Sequence, residues 1–187
     1  MSPSEQLNKR LQGAHSGAAR CLSDLGRRLF FPQGIPAQTA EAAGCQLNAT
    51  IGQVTDGKGR PLPLPSMSRH MVDLDSAQVF LYARQGGLPA LRRAWAQRIR
   101  GRHPSAPAMG LPLVTHGLTH GLSLVSDLFV DETADVLLPS PGWGNYHHIF
   151  GTRRGGRLVP YALFEGRGAE RFFSVSGLER ALGEVRD

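Results

Sequence analysis

Apolar residues recur at helical spacing over the first thirty positions: Leu7 and Leu11, then Cys21, Leu22, Leu25 and Leu29. The pattern predicts two helices within residues 5–30, with a break near Gly13–Gly17. The stretch Phe30-Phe31-Pro32-Gln33-Gly34-Ile35-Pro36 ends the second, because proline cannot continue a helix. Ala37 to Gly44 is rich in small residues and predicts a short helix. Asn48 to Thr55 reads as extended, Asp56-Gly57-Lys58-Gly59 as a turn, and Pro61, Pro63 and Pro65 hold the following chain extended. Asp73 to Tyr82 predicts a helix capped by Asp73 or Asp75 and broken at Gly86-Gly87. The next helix has Pro89 in its first turn and an apolar stripe of Leu91, Trp95 and Ile99.

From Leu111 the period changes. Leu111 to Thr115 is a short apolar run that suits a buried strand. Thr119 to Val130 predicts a helix with Leu122, Val125, Leu128 and Phe129 facing inward. Val136–Leu138 and Arg157–Tyr161 predict two more strands, with a helix over Tyr146 to Arg153 between them. Ser176-Gly177-Leu178-Glu179 matches a capping box and predicts a last helix carrying Leu178, Ala181, Leu182 and Val185. Short strands alternating with helices imply an α/β domain with a largely parallel sheet and flanking helices.

Composition narrows this little. A chain of 187 residues, 41% hydrophobic and 19% charged, fits an ordinary globular domain with a substantial core. No run approaches the roughly 20 apolar residues a membrane span requires. The polar N-terminus does not read as a secretory signal. Cys21 and Cys45 are the only cysteines, read as two small buried hydrophobes in a reducing, cytoplasmic setting. The net charge of +6 and pI near 10.1 are compatible with an anionic partner. The arginines are scattered, however, and even the densest set (Arg153, Arg154, Arg157, Arg167 and Arg171) has no aromatic interleaving, so an arginine-rich solvated surface is the main reading and a basic nucleic-acid-binding module the lesser alternative.

The candidate chemistry sits in two glycine-bearing segments. His116-Gly117-Leu118-Thr119-His120-Gly121 leaves a predicted strand and opens a helix, where free backbone N–H groups suit a phosphate. Read alone, it is also a plain strand-to-helix turn. Pro141-Gly142-Trp143-Gly144-Asn145-Tyr146 places an indole just after the next predicted strand, as a platform for a planar ring or as a core tryptophan. His116 and His120 share the four-residue spacing of zinc ligands but lack a suitably spaced acidic third ligand, so no metal is expected.

Together these segments resemble the start of the large domain in fold-type I, pyridoxal-phosphate-dependent aminotransferases of class I/II. The resemblance runs from about Asn48 to Tyr161. It implies that Gly117, the Leu118 amide and the Thr119 hydroxyl grip the cofactor phosphate, and that Trp143 stacks on the pyridine face. Asn48-Ala49-Thr50-Ile51-Gly52 resembles the family segment whose glycine lies beside the substrate carboxylate, which assigns that place to Gly52. Phe80-Leu81-Tyr82 before Gly86-Gly87 resembles the segment whose tyrosine reaches the phosphate bound by the partner subunit. Tyr82 is read either so, in a homodimer, or as helix-face packing.

The family holds its cofactor as a Schiff base on a lysine far downstream of the phosphate turn. Here the only lysines, Lys9 and Lys58, precede that turn. The resemblance therefore implies an N-terminal portion of an aminotransferase. Residues 1–47 would form a helical arm or part of the small domain, and 48–187 the incomplete large domain. The complete protein would transfer an amino group between an amino acid and a 2-oxo acid. The present residues would not be catalytically competent alone, and a non-catalytic product that binds phosphate ligands or pairs with a fuller subunit is the alternative.

Overall fold

The computed structural model describes residues 1–14, 17–30, 34–70, 74–105 and 107–185. They fall into two units, Met1–Phe30 with Thr115–Asp187, and Phe31–Val114.

In the first unit the N-terminal stretch forms three helices where the apolar spacing predicts two: α1 (Pro3–Gly13), α2 (Gly17–Cys21) and α3 (Asp24–Arg28). The additional break has a local cause. Ser23 is extended, and its hydroxyl accepts the Gly26 amide at 3.1 Å, so a new helix starts there. Asn8 ties α1 to α3 by donating to the Arg27 carbonyl at 2.7 Å. Cys21 ends α2 and Cys45 follows a helical turn in the other unit. Both are exposed and free, which corrects the expectation of buried thiols.

In the second unit the small-residue stretch forms α4 (Ile35–Glu41), continued by a tighter turn at Ala42–Gly44. The Asp56 turn is present. Its carboxylate accepts the Lys58 and Arg60 amides, each at 2.9 Å, and the Arg60 guanidinium at 2.7 Å. Thr55 bridges to Pro61 across it. The Arg60 amide, then its guanidinium, then the Lys58 amide hold the Asp56 carboxyl below its usual range. After α5 (Pro65–Ser68), the helix expected over 73–82 shrinks to α6 (Ser76–Val79). The prolyl stop at Phe31–Gln33 and the candidate cap Asp73 lie outside the described residues.

Helix α7 (Pro89–Arg102) starts at Pro89 as expected, but its buried residue is Ala96. Leu91 and Trp95 are exposed, with the Arg98 guanidinium 5.9 Å from the indole centroid. Leu111 to Thr115 does not form a strand. Pro112 has no amide to give, Arg92 occupies the carbonyls of Leu111 and Pro112 at 3.1 and 2.7 Å, and the Val114 amide bonds the Gly86 carbonyl.

The core lies in the C-terminal part of the first unit. Helix α8 (Gly117–Phe129) leads through an Asp131 turn to β1 (Asp135–Ser140). The chain then passes Trp143 and a wide helical turn at His147–Thr152 before β2 (Arg157–Ala162). That turn closes through the Arg153 amide to the His148 carbonyl, five residues back, so the helix expected there is π-wound. Strands β1 and β2 are parallel, in register from Asp135–Arg157 to Ser140–Ala162. Val130, Leu138, Ile149 and Phe150 form the buried cluster, with Leu122, Val136, Tyr146 and Leu158 against it. Val159, on the alternate face of β2, is only 2% exposed.

Helix α8 buries a different stripe from the one its sequence suggests. Leu122 packs on the core and Ser126 is fully buried, its hydroxyl satisfied by the Ser123 carbonyl at 2.8 Å. Val125, Leu128 and Phe129 are exposed. The chain ends with a short antiparallel pair, β3 (Phe164–Glu165) and β4 (Phe172–Phe173), then α9 (Val175–Gly183) packed on β2. The cap of α9 is Ser174, two residues before the serine of the expected box. Ser174 Oγ accepts the Gly177 amide at 2.9 Å, and Ser176 lies inside the helix, donating to Glu165.

Candidate functional site

The turn into α8 is built from His116 and Gly117. Gly117 adopts φ +77°, which a residue with a Cβ resists, and its amide bonds the Thr115 carbonyl. His116 is the cap residue but its side chain caps nothing. Among the described residues no carbonyl accepts the amides of Leu118 or Thr119. Leu118 is 83% exposed, and Thr119 is exposed as well. A helix start with open amides and an adjacent hydroxyl has the donor set that a phosphate monoester requires.

The indole loop leaves the carboxyl end of β1. Gly142 is there for space: a Cβ on it would lie 2.4 Å from the Pro139 carbonyl oxygen. Trp143 is 38% exposed and not a core residue. Its ring meets Tyr146 edge-on, with centroids 5.5 Å apart and planes at 86°, and Tyr146 leans in turn on Phe150. Trp143 is thus buttressed from the core while part of its surface stays open. It lines a pocket of about 320 Å³ with Leu138, Ser140, Tyr146, His147 and Leu158. Gly117, Leu118 and Thr119 are not in that lining. The sequence assigns Tyr146 only a loop-shaping role and sets His147 aside as a metal ligand; neither is expected as a pocket residue. An aromatic residue three positions after Trp143, on the same turn, was the available signal.

Gly52 and Tyr82 belong to the other unit. Gly52 is exposed, with open space where a side chain would point. Tyr82 lies outside α6 and is fully exposed, so it does not pack on a helix face. Among the described residues no group of three or more His, Cys, Asp or Glu side chains could hold a metal. The rings of His116 and His120 stack instead, with centroids 5.6 Å apart. Three of the five clustered arginines are engaged within the fold. Arg153 pairs with Asp127 at 3.0 Å, Arg154 donates to the Val130 carbonyl at 2.9 Å, and Arg157 pairs with Asp135. Among the described residues no helix is long and apolar enough to cross a membrane.

Residues 45–186 match the model of the family described as aminotransferase class I and II. Glutamate–glyoxylate aminotransferase 1 of Arabidopsis thaliana is 27% identical over 167 residues, covering 87% of this chain and 32% of the relative. The crystal structure of an aminotransferase from Anaerococcus prevotii superposes with a TM-score of 0.67 at 20% identity, over 84% of this chain and 40% of that one. The chain therefore spans about a third of the length of the plant relative and two fifths of the bacterial one. The family match over residues 45–186, most of the chain, places it in the class I and II aminotransferase family.

Proposed function

We propose that these residues supply the phosphate cup and the ring platform of a pyridoxal-phosphate-dependent aminotransferase. The complete protein would transfer an amino group between an amino acid and a 2-oxo acid. The observation that carries this reading is the start of α8, where the Leu118 and Thr119 amides and the Thr119 hydroxyl are available together. These donors fit a phosphate, and the open part of Trp143 fits a planar ring. When bound, the cofactor supplies the electron-accepting ring. The chain's own residues bind and orient it. Gly117, Leu118 and Thr119 would hold the phosphate, and Trp143 would restrain the ring. By the family resemblance the Gly52 backbone would approach the substrate carboxylate in the complete protein. By the same resemblance the Tyr82 hydroxyl would reach the phosphate bound by the partner subunit of a homodimer. Two exposed thiols fit a reducing, cytoplasmic setting.

The test uses pyridoxine 5'-phosphate and pyridoxine, which have no aldehyde to react with Lys9 or Lys58. Thr119→Ala removes a charge-assisted hydrogen bond and weakens binding of the phosphate ester by roughly 10- to 100-fold. It leaves pyridoxine unchanged, whereas Trp143→Ala weakens both ligands. Equal affinity of the unmodified chain for the two ligands would refute the phosphate cup.

A second reading, a non-catalytic product that pairs with a fuller subunit, draws on the exposure of Tyr82, Leu128 and Phe129. Co-elution with a full-length relative in size-exclusion chromatography supports it, and a stable monomer that ignores that relative removes it.

A further inference from the structure

We propose that His120 is the positioning residue of the phosphate turn, acting through the His116 amide and not by touching the cofactor. The inference rests on the cofactor reading above. A helix start leaves its first amides without partners. In a capping box these are satisfied reciprocally: the cap side chain takes an amide three residues on, and a side chain there returns to the cap amide. Helix α1 shows both halves, between Ser2 and Glu5. At α8 only the return bond exists, and it comes from one residue further along. The His116 amide donates to His120 Nδ1 at 3.1 Å, and the two imidazoles stack with planes 20° apart.

Two consequences follow from this geometry. A ring nitrogen that accepts a hydrogen bond carries no proton, so this bond requires His120 to carry its proton on Nε2. The bond also fixes His116 on one side of the left-handed Gly117, while the Thr115 hydroxyl holds the Gly117 carbonyl at 3.1 Å on the other. The most pliable residue of the turn is thus clamped from both sides. The protein satisfies the His116 and Gly117 amides itself and leaves the next two, Leu118 and Thr119, for an anion. His120 pre-forms the cup, so less ordering is required when phosphate arrives.

The test uses the 187-residue chain titrated calorimetrically with pyridoxine 5'-phosphate and with pyridoxine. His120→Ala weakens the phosphate ester by roughly 3- to 10-fold, the equivalent of one ordinary hydrogen bond, and leaves pyridoxine unaffected. His120→Asn carries an amide oxygen where Nδ1 stood and recovers affinity to within about twofold of the original. Nitrogen-15 spectra of the ligand-free chain show His120 protonated at Nε2. A ring protonated at Nδ1, unchanged affinity in His120→Ala, or an Asn variant as weak as the Ala variant would overturn the role of His120. If the unmodified chain shows no preference for the phosphate ester, the cofactor reading fails and this inference falls with it. A preference that survives intact in His120→Ala sinks the His120 role alone.

Discussion

Ser174→Ala tests how the last helix is attached to the sheet. Ser174 is fully buried, and its hydroxyl does two things. It accepts the buried Gly177 amide at 2.9 Å, and it donates to Glu165, which also accepts from Ser176. Alanine leaves the Gly177 amide without a partner where water has no access. Loss of a serine cap costs about 0.5–2 kcal/mol, and an orphaned buried donor about 1–3 kcal/mol. These describe one event and are not summed, so about 2 kcal/mol is expected. With an m-value near 2 kcal/mol/M, the urea midpoint falls by about 1 M. Ser176→Ala is the control, since it removes a Glu165 contact but no backbone cap, and its expected loss is below about 0.5 kcal/mol. Equal losses in the two variants would mean that the cap contributes no more than the carboxylate contact, and the argument would be wrong.

Acid sensitivity should trace to Glu165. The Ser174 hydroxyl, then that of Ser176, then the Arg180 charge lower its pKa from an ordinary value of 4.5. Its contribution is complete above that value and is lost as pH falls through the lower folded value; Glu165→Gln should flatten that part of a stability-versus-pH curve, and an unchanged curve would contradict it. Gly142→Ala forces the indole loop away from the Pro139 carbonyl, costing about 1–3 kcal/mol and weakening pyridoxine binding. Gly144→Ala meets no atom within 4 Å and should be neutral in both assays. Incubating the chain with pyridoxal phosphate and borohydride should give no specific active-site adduct and no transamination, since Lys9 and Lys58 both precede the turn. A stoichiometric adduct with amino-transfer turnover would refute this.

Backbone chemistry was the legible part of the sequence. Pro89 marks the start of α7, Gly117 the start of α8, and the Asp56-Gly57 turn forms where its residues predict. Each effect acts within a few residues and needs no distant partner. Facing was not legible. Leu91, Trp95, Leu128 and Phe129 have helical spacing, yet Ala96 and Ser126 are the buried residues. Periodicity locates a helix, but the packed side depends on which other elements meet it. Ser126 can lie inside because its hydroxyl finds the Ser123 carbonyl, a bond no hydropathy pattern displays. Leu111 to Thr115 failed as a strand for a related reason: its carbonyls are claimed by Arg92, about twenty residues earlier. At the candidate site, the glycines and Trp143 pointed to the right segments. The edge-on contact of Tyr146 and the acceptor role of His120 required coordinates.

The guanidinium of Arg157 reaches both the nearly buried Asp135 carboxylate and the Glu184 carbonyl that ends α9. Asp135 and Arg157 also face each other as the first matched pair of β1 and β2. Sliding either strand by two residues would preserve its inward and outward alternation, so hydrophobicity alone would tolerate the slip. The ionic clasp would not, because its halves would separate by about 7 Å. Arg157 therefore works as an index pin: it sets where the second strand begins, and so how much chain is paid out in the crossover that presents the indole.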